Sequence, residues 1–278
     1  MKMNDFLVLG GDQRFIYAAE FISERYSCST FGIGELPYNS KTTTLTTLNG
    51  KYKNIVLPLP LSRDEININF PITNQTIPIK SINELLFDDS IIFTGNSNKE
   101  LESVCVKHKI IDYYSEEFAI MNAIPTAEGV MRIILKESQS KLFGMNILVL
   151  GAGRTAKAIT KLLISFDANV TGLARSNDEL AFMKKIGASI FNISELSTLL
   201  SEFNIIINTI PFSILTDENI ELLKRDALLI DIASVSVVES VHKIKKRGIK
   251  YIHALGLPGK FSPVSSGKII ADSIMSYL

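Results

Sequence analysis

The apolar positions of this 278-residue chain fall into strand-length runs that alternate with stretches of helical spacing. The clearest case runs from Asn146 to Arg175 and reads NILVLGAGRTAKAITKLLISFDANVTGLAR. It opens with an apolar run, turns at Gly151-Ala152-Gly153, and continues with Ala156, Ile159, Leu162, Leu163 and Phe166 on one helical face. A second apolar run follows at Val170 to Ala174, so the stretch predicts a strand–helix–strand unit of about 30 residues. Further strands are predicted at Ser189 to Phe191, Asn204 to Asn208, Ala227 to Ile232 and Lys250 to His253. Helices are predicted between them at Asp178 to Ile186, Ser194 to Glu202, Asp217 to Lys224 and Val238 to Arg247. Alternation of this kind produces a parallel sheet with helices on both faces.

The first part of the chain repeats the pattern less regularly. Phe6 to Leu9, Cys28 to Ile33, Asn54 to Leu59, Ile91 to Thr94 and Ile110 to Tyr113 read as strands, and Phe15 to Arg25 as an amphipathic helix. Lys41 to Asn49 and Leu61 to Pro78 read as surface connections. Residues 117 to 140 predict a linking helix, interrupted at Ile124-Pro125 and restarted at Thr126, because proline removes a donor and displaces the residue before it. A final helix carries Ile269, Ile270, Ile274 and Leu278 and is expected to return to the linking helix. The fold class is therefore α/β, with two Rossmann-like doubly wound parallel-sheet domains. Their expected limits are 1–116 for a substrate or partner domain, 117–141 for the linker and 142–254 for a dinucleotide-binding domain, with 255–278 closing the cleft between them.

Composition removes several classes of function. Basic and acidic residues number 29 each and cancel, so no basic stripe points to nucleic acid. Hydrophobic residues are 46% and charged residues 21%, a globular balance. The start, MKMNDFLVLGGD, reads as a first strand rather than a signal peptide. The expectation is a soluble, cytoplasmic protein. Cys28 and Cys105 stand apart without metal-ligand spacing, so reduced thiols and no metal are expected.

The glycine turn carries the chemistry. Gly151 allows the tight strand-to-helix turn, Gly153 lets backbone amides approach a pyrophosphate, and Ala156 keeps the helix close to the sheet. Ala152, Arg154 and Thr155 complete the loop at the helix N-terminus, which favours an anion. At the end of the second strand, Arg175 and Ser176 stand where an NAD site usually carries an acid, and the next carboxylate is Asp178. A guanidinium with a hydroxyl suits a 2′-phosphate, so NADP is preferred over NAD. Three later strand ends, Asn208-Thr209-Ile210-Pro211, Ala233-Ser234 and the stretch beginning at Gly256, are expected to face the nicotinamide half. Gly10-Gly11-Asp12-Gln13-Arg14 imitates the fingerprint without its third small residue. It reads as a substrate or interdomain loop, or as a plain turn capped by Asp12. The interruption before Thr126 and Glu128 either aims amides and a carboxylate into the cleft or is a structural kink.

Taken together, these motifs resemble the dipicolinate synthase family, on the side of its A polypeptide. The carrying segments are VLGGDQR at Val8 to Arg14, IPTAEG at Ile124 to Gly129, LGAGRTA at Leu150 to Ala156 and ARS at Ala174 to Ser176. NTIP at Asn208 to Pro211, DIAS at Asp231 to Ser234 and GLPGKFSP with SSG at Gly256 to Gly267 complete the set. The resemblance implies an NADP-linked oxidation of a dihydrodipicolinate to pyridine-2,6-dicarboxylate during sporulation, carried out with a flavoprotein-like partner, the B polypeptide of dipicolinate synthase. Family members commonly have Pro-Lys-Thr-Ala-Gly where this chain has Pro263-Val264-Ser265-Ser266-Gly267, which makes Lys260 the candidate substitute for the missing lysine. For a dicarboxylate, Arg14 and Lys260 supply cations, and Thr126, Ser262, Ser265 and Ser266 supply hydroxyls. Glu128 and Asp12 are the candidate proton acceptors, with His253 a weaker one. Two other functions stay open: a different NADP-dependent dehydrogenase of a small carboxylate, similar to shikimate dehydrogenase, and a non-catalytic cofactor-binding member of a heteromeric complex.

Overall fold

The computed structural model describes residues 5–278. The backbone forms two compact units, the first from the N-terminal part through Asn122 together with Pro258–Leu278, the second Ala123–Leu257. In the first unit the strands are β1 (Phe6–Leu9), β2 (Cys28–Phe31), β3 (Thr43–Thr44), β4 (Tyr52–Val56), β5 (Leu86–Thr94) and β6 (Lys109–Asp112). They are joined in part by α1 (Gln13–Ser23), a 3-10 helix at Ile79–Leu85 and α2 (Lys99–Val104). The sheet order is β3-β2-β1-β4-β5-β6 and every pairing is parallel. Strand order therefore reverses between β1 and β4, which is where open α/β sheets bind ligands.

Helix α3 (Glu116–Glu137) runs from the first unit into the second without a break, and Pro125 lies inside it. This corrects the expected restart at Thr126. Proline removes a single backbone donor, and burial of Ala123, Ala127, Val130 and Ile134 holds the helix on either side of that loss. Thr126 consequently heads no helix, and Glu128 is exposed on the helix surface. By length and composition α3 could cross a membrane, but 56% of its most apolar window is buried inside the protein.

The second unit contains β7 (Asn146–Leu150), α4 (Arg154–Ile164), β8 (Asn169–Ala174), α5 (Asn177–Lys185) and β9 (Ser189–Asn192). It continues with α6 (Leu196–Leu199), β10 (Ile205–Asn208), α7 (Asp217–Leu222), β11 (Leu228–Asp231), α8 (Val241–Lys246) and β12 (Lys250–His253). The all-parallel order is β12-β11-β10-β7-β8-β9, so the reversal lies between β7 and β10. Ile147, Leu148, Val149 and Leu150 are fully buried, as are Ile206 and Ile207 on the neighbouring strand. Runs buried on both faces are the mark of a covered parallel sheet.

The chain ends with α9 (Leu257–Phe261) and α10 (Pro263–Met275). Helix α10 returns to the first turns of α3, where Ile270, Ala271 and Ile274 share a core with Phe118. It also lies along α1, a contact the sequence did not suggest. Gly267 makes that contact possible, because a Cβ there would come within 2.5 Å of the Arg14 carbonyl oxygen and 2.6 Å of Tyr17 Cβ.

Candidate functional site

The turn after β7 is built for close backbone approach. Gly151 has φ 106°, a conformation that side-chain-bearing residues rarely adopt, and its amide donates to the Leu173 carbonyl at 2.8 Å. Thr209 closes the turn from the end of β10. Its hydroxyl donates to the Leu150 carbonyl at 2.8 Å, and a Cβ on Gly151 would lie 2.3 Å from Thr209 Oγ1. Gly153 is the N-cap of α4 with no side chain capping the helix, and a Cβ there would meet nothing within 4 Å. Ala156 is fully buried, Ala152 is buried, Thr155 is half-buried and Arg154 is exposed. The N-terminal amides of α4 thus face an open surface, which suits a pyrophosphate.

At the end of β8, Ala174 is buried and Arg175 is exposed. Asn192 Nδ2 donates to the Arg175 carbonyl at 3.0 Å and fixes the strand end. Ser176 is the N-cap of α5, whose first turn carries Asp178 and Glu179.

Across β7, the ends of β10 and β11 are held by one carboxyl group that sequence reading did not assign. Asp231 is fully buried, and its Oδ1 accepts from Asn208 Nδ2 at 2.8 Å and from the Ala233 amide at 3.3 Å. Its Oδ2 accepts from the Val237 amide at 2.7 Å and from the Tyr251 hydroxyl at 3.0 Å. A buried carboxyl left unpaired would be strongly destabilising, and here both oxygens are satisfied. Asn208 in turn wraps the next turn: its Oδ1 accepts from the Ile210 amide at 3.0 Å, and its Nδ2 donates to the Ile210 carbonyl at 2.9 Å. Pro211 follows, exposed. Ala233 is buried and its carbonyl lies 2.9 Å from His253 Nε2, while Ser234 and Gly256 are exposed. The clue available in the sequence was an acid closing an otherwise apolar strand, at Leu228 to Asp231.

In the first unit the turn after β1 lies at the sheet's reversal point. Asp12 is the N-cap of α1 and accepts from the Arg14 amide. Arg14 Nε donates to Asp12 Oδ1 at 2.8 Å and Nη2 to Oδ2 at 2.9 Å. Nη2 also donates to the Leu59 carbonyl at 2.8 Å. Arg14 is only 6% exposed, and a cation so buried needs such partners. Nε and Nη2 of the guanidinium are thus engaged by this chain's own groups. The Gly11 amide donates to the Asn69 carbonyl at 3.0 Å, so the 61–78 connection covers the position where a second nucleotide would sit. Gly259 lies against the Asp12 carboxyl. Nearby in sequence, Lys260 and Ser265 are exposed and Ser262 is half-buried. Ser266 is 1% exposed, with its hydroxyl turned toward the Pro258 carbonyl at 3.5 Å. It sits on the buried face of α10 one residue before Gly267, where the helix meets α1. Thr126 is half-buried on α3.

A family model of the N-terminal domain of the dipicolinate synthase A polypeptide matches residues 5–114. A model of the NAD-binding domain of D-isomer specific 2-hydroxyacid dehydrogenase matches residues 127–245. The A polypeptide of dipicolinate synthase from Bacillus subtilis (strain 168) is 30% identical over 228 residues, covering 81% of this chain and 77% of that protein. The crystal structure of the same polypeptide from Bacillus halodurans superposes with a TM-score of 0.85 at 26% identity, covering all of this chain and 98% of the other. The crystal structure from Bacillus subtilis gives a TM-score of 0.83, also at 26% identity, covering all of this chain and 96% of the other.

Proposed function

The chain belongs to the family of dipicolinate synthase A polypeptides, and from that premise we propose that it oxidises a dihydrodipicolinate to pyridine-2,6-dicarboxylate with NADP, together with the B polypeptide of dipicolinate synthase, in the cytoplasm of a sporulating cell. At the coarser level it is a dehydrogenase-type protein with a nicotinamide dinucleotide-binding domain. The observation that carries the proposal is the uncapped N-terminus of α4 behind Gly151 and Gly153, with Arg175 rather than an acid after β8.

In this reading the α4 amides hold the diphosphate and Arg175 holds the 2′-phosphate through charge-assisted bonds. NADP held there would supply a hydride acceptor for the dihydropyridine ring, and a base of this chain would take the accompanying proton, so that the products balance as the aromatic diacid and NADPH. Aromatisation supplies the driving force, so the protein mainly orients the substrate. Lys260, with the hydroxyls of Ser262 and Ser265, neutralises substrate carboxylates. Asp12, held in one orientation by Arg14, is the proton acceptor we favour on geometry.

The test is direct. Titration calorimetry should show binding of NADP tighter than NAD, and a dihydrodipicolinate supplied with the B polypeptide should produce NADPH, followed by its absorbance. Folded protein that gives no heat with either coenzyme would overturn the proposal, as would turnover with NAD alone.

A further inference from the structure

The sheet order of the second unit assigns the two halves of a dinucleotide to different strand ends. The coenzyme crosses the reversal point between β7 and β10. With adenosine toward β8 and Arg175, the nicotinamide half falls toward β10 and β11. The backbone there consists of two irregular turns, residues 209–211 and 233–237. The Asp231 carboxyl grips both, the first through Asn208 and the second through the amides of Ala233 and Val237. Resting on the dinucleotide reading above, we infer that Asp231, braced by Tyr251, is the positioning group that sets the nicotinamide side of the site and leaves the adenosine side untouched.

Tyr251 is the outer member of the brace. Its hydroxyl bonds Asp231 Oδ2 and lies 3.1 Å from Ser236 Oγ. Ser236 Oγ in turn accepts from the Val238 amide at 3.3 Å and the Ser236 carbonyl accepts from Ser213 Oγ at 2.8 Å. One hydroxyl on β12 thereby connects the carboxyl to the 233–237 turn and, through it, to the segment after β10. Burial, with the neighbouring Asp231 carboxyl adding to it, pushes the Tyr251 hydroxyl up to about 12, so it remains a donor throughout the physiological range. Thr209, at the other end of the same chain of contacts, closes the Gly151 turn.

The experiment compares affinities for NADP and for adenosine 2′,5′-bisphosphate, which carries the 2′-phosphate and adenosine but no nicotinamide. Tyr251→Phe removes the hydroxyl and retains the ring. Losing one hydrogen bond of ordinary strength should weaken NADP about fivefold. The affinity for the bisphosphate should be unchanged, and so should the NADP-independent melting temperature to within a few degrees. Asp231→Asn should shift the same ratio further, and the ratio is readable on whatever fraction of that variant folds. Unchanged NADP affinity in Tyr251→Phe, or equal weakening of both ligands, overturns the inference while the dinucleotide reading survives. Wild-type protein that binds neither ligand removes both.

Discussion

Gly151→Ala probes the turn after β7 that we propose holds the coenzyme diphosphate. At φ 106° a side chain strains the backbone by about 1–3 kcal/mol. The added carbon would also lie 2.3 Å from Thr209 Oγ1 and 3.3 Å from Ile210 Cγ1, and overpacking of that kind costs about 1–3 kcal/mol. Together the effects reach roughly 2–6 kcal/mol, a large part of the ~5–15 kcal/mol that holds a typical domain folded. Thr209→Ala isolates the steric part. Alone it loses the bond to the Leu150 carbonyl, worth about 1 kcal/mol. Combined with Gly151→Ala it clears the obstructing oxygen and leaves the backbone strain, the 3.3 Å approach to Ile210 Cγ1 and the lost hydrogen bond. The double variant should therefore be less destabilised than the two singles summed, by about 1–2 kcal/mol. Urea denaturation of wild type, both singles and the double gives the cycle directly. Effects that add to within about 0.5 kcal/mol would refute the closing role assigned to Thr209.

Arg175→Ala should weaken NADP by roughly 10–100-fold, the value of a charge-assisted contact, while NAD affinity measured by the same calorimetry stays put. Arg14→Ala leaves the Leu59 carbonyl without its donor and Asp12 with only the amide of residue 14 and should lower the urea-derived stability of the first unit by about 1–3 kcal/mol. Arg14→Lys should recover little of it, since an ammonium cannot make the bidentate pair. Gly267→Ala sets a gain of about 1 kcal/mol in helix propensity against a Cβ 2.5 Å from the Arg14 carbonyl oxygen, and the clash should win, lowering the melting temperature. Burial pushes the Cys28 thiol from 9.0 up to about 12 and the Cys105 thiol up to about 11. The folded state favours the protonated thiols, so their contribution to stability is complete below about pH 9 and is lost as pH rises toward 11 and 12. Neither should react with a disulfide reagent at pH 8 until the protein is unfolded.

The second unit was legible because most of its strands are short apolar runs set between glycines or polar clusters. Lys250–His253 coincides in prediction and structure, and most other elements shift by one or two residues at their ends. The first unit was harder to read. β5 begins at Leu86, and Asp88 and Asp89 hide it. The 3-10 helix at Ile79–Leu85 and the short α2 were also missed, since neither is long enough for helical periodicity to show. Pro125 misled for another reason: local chemistry argued for a break, and tertiary burial overrode it. The site divides along the same line. The glycine turn is a local motif and could be read directly. The partners of Arg14, the burial of Ser266 and the grip of Asp231 are facts of three-dimensional neighbourhood, and residue type alone does not disclose them.

The first unit is assembled from the two ends of the chain, with α10 completing the apolar face of α1 at Phe15, Ala18 and Ile22. Ribosomal synthesis delivers that missing piece only after every residue of the second unit has emerged. The later segment of the gene product can therefore mature first, as an uninterrupted stretch, while the earlier one waits with greasy surface uncovered. Premature termination before residue 263 would strand it in that state and make it a client for chaperones or proteases.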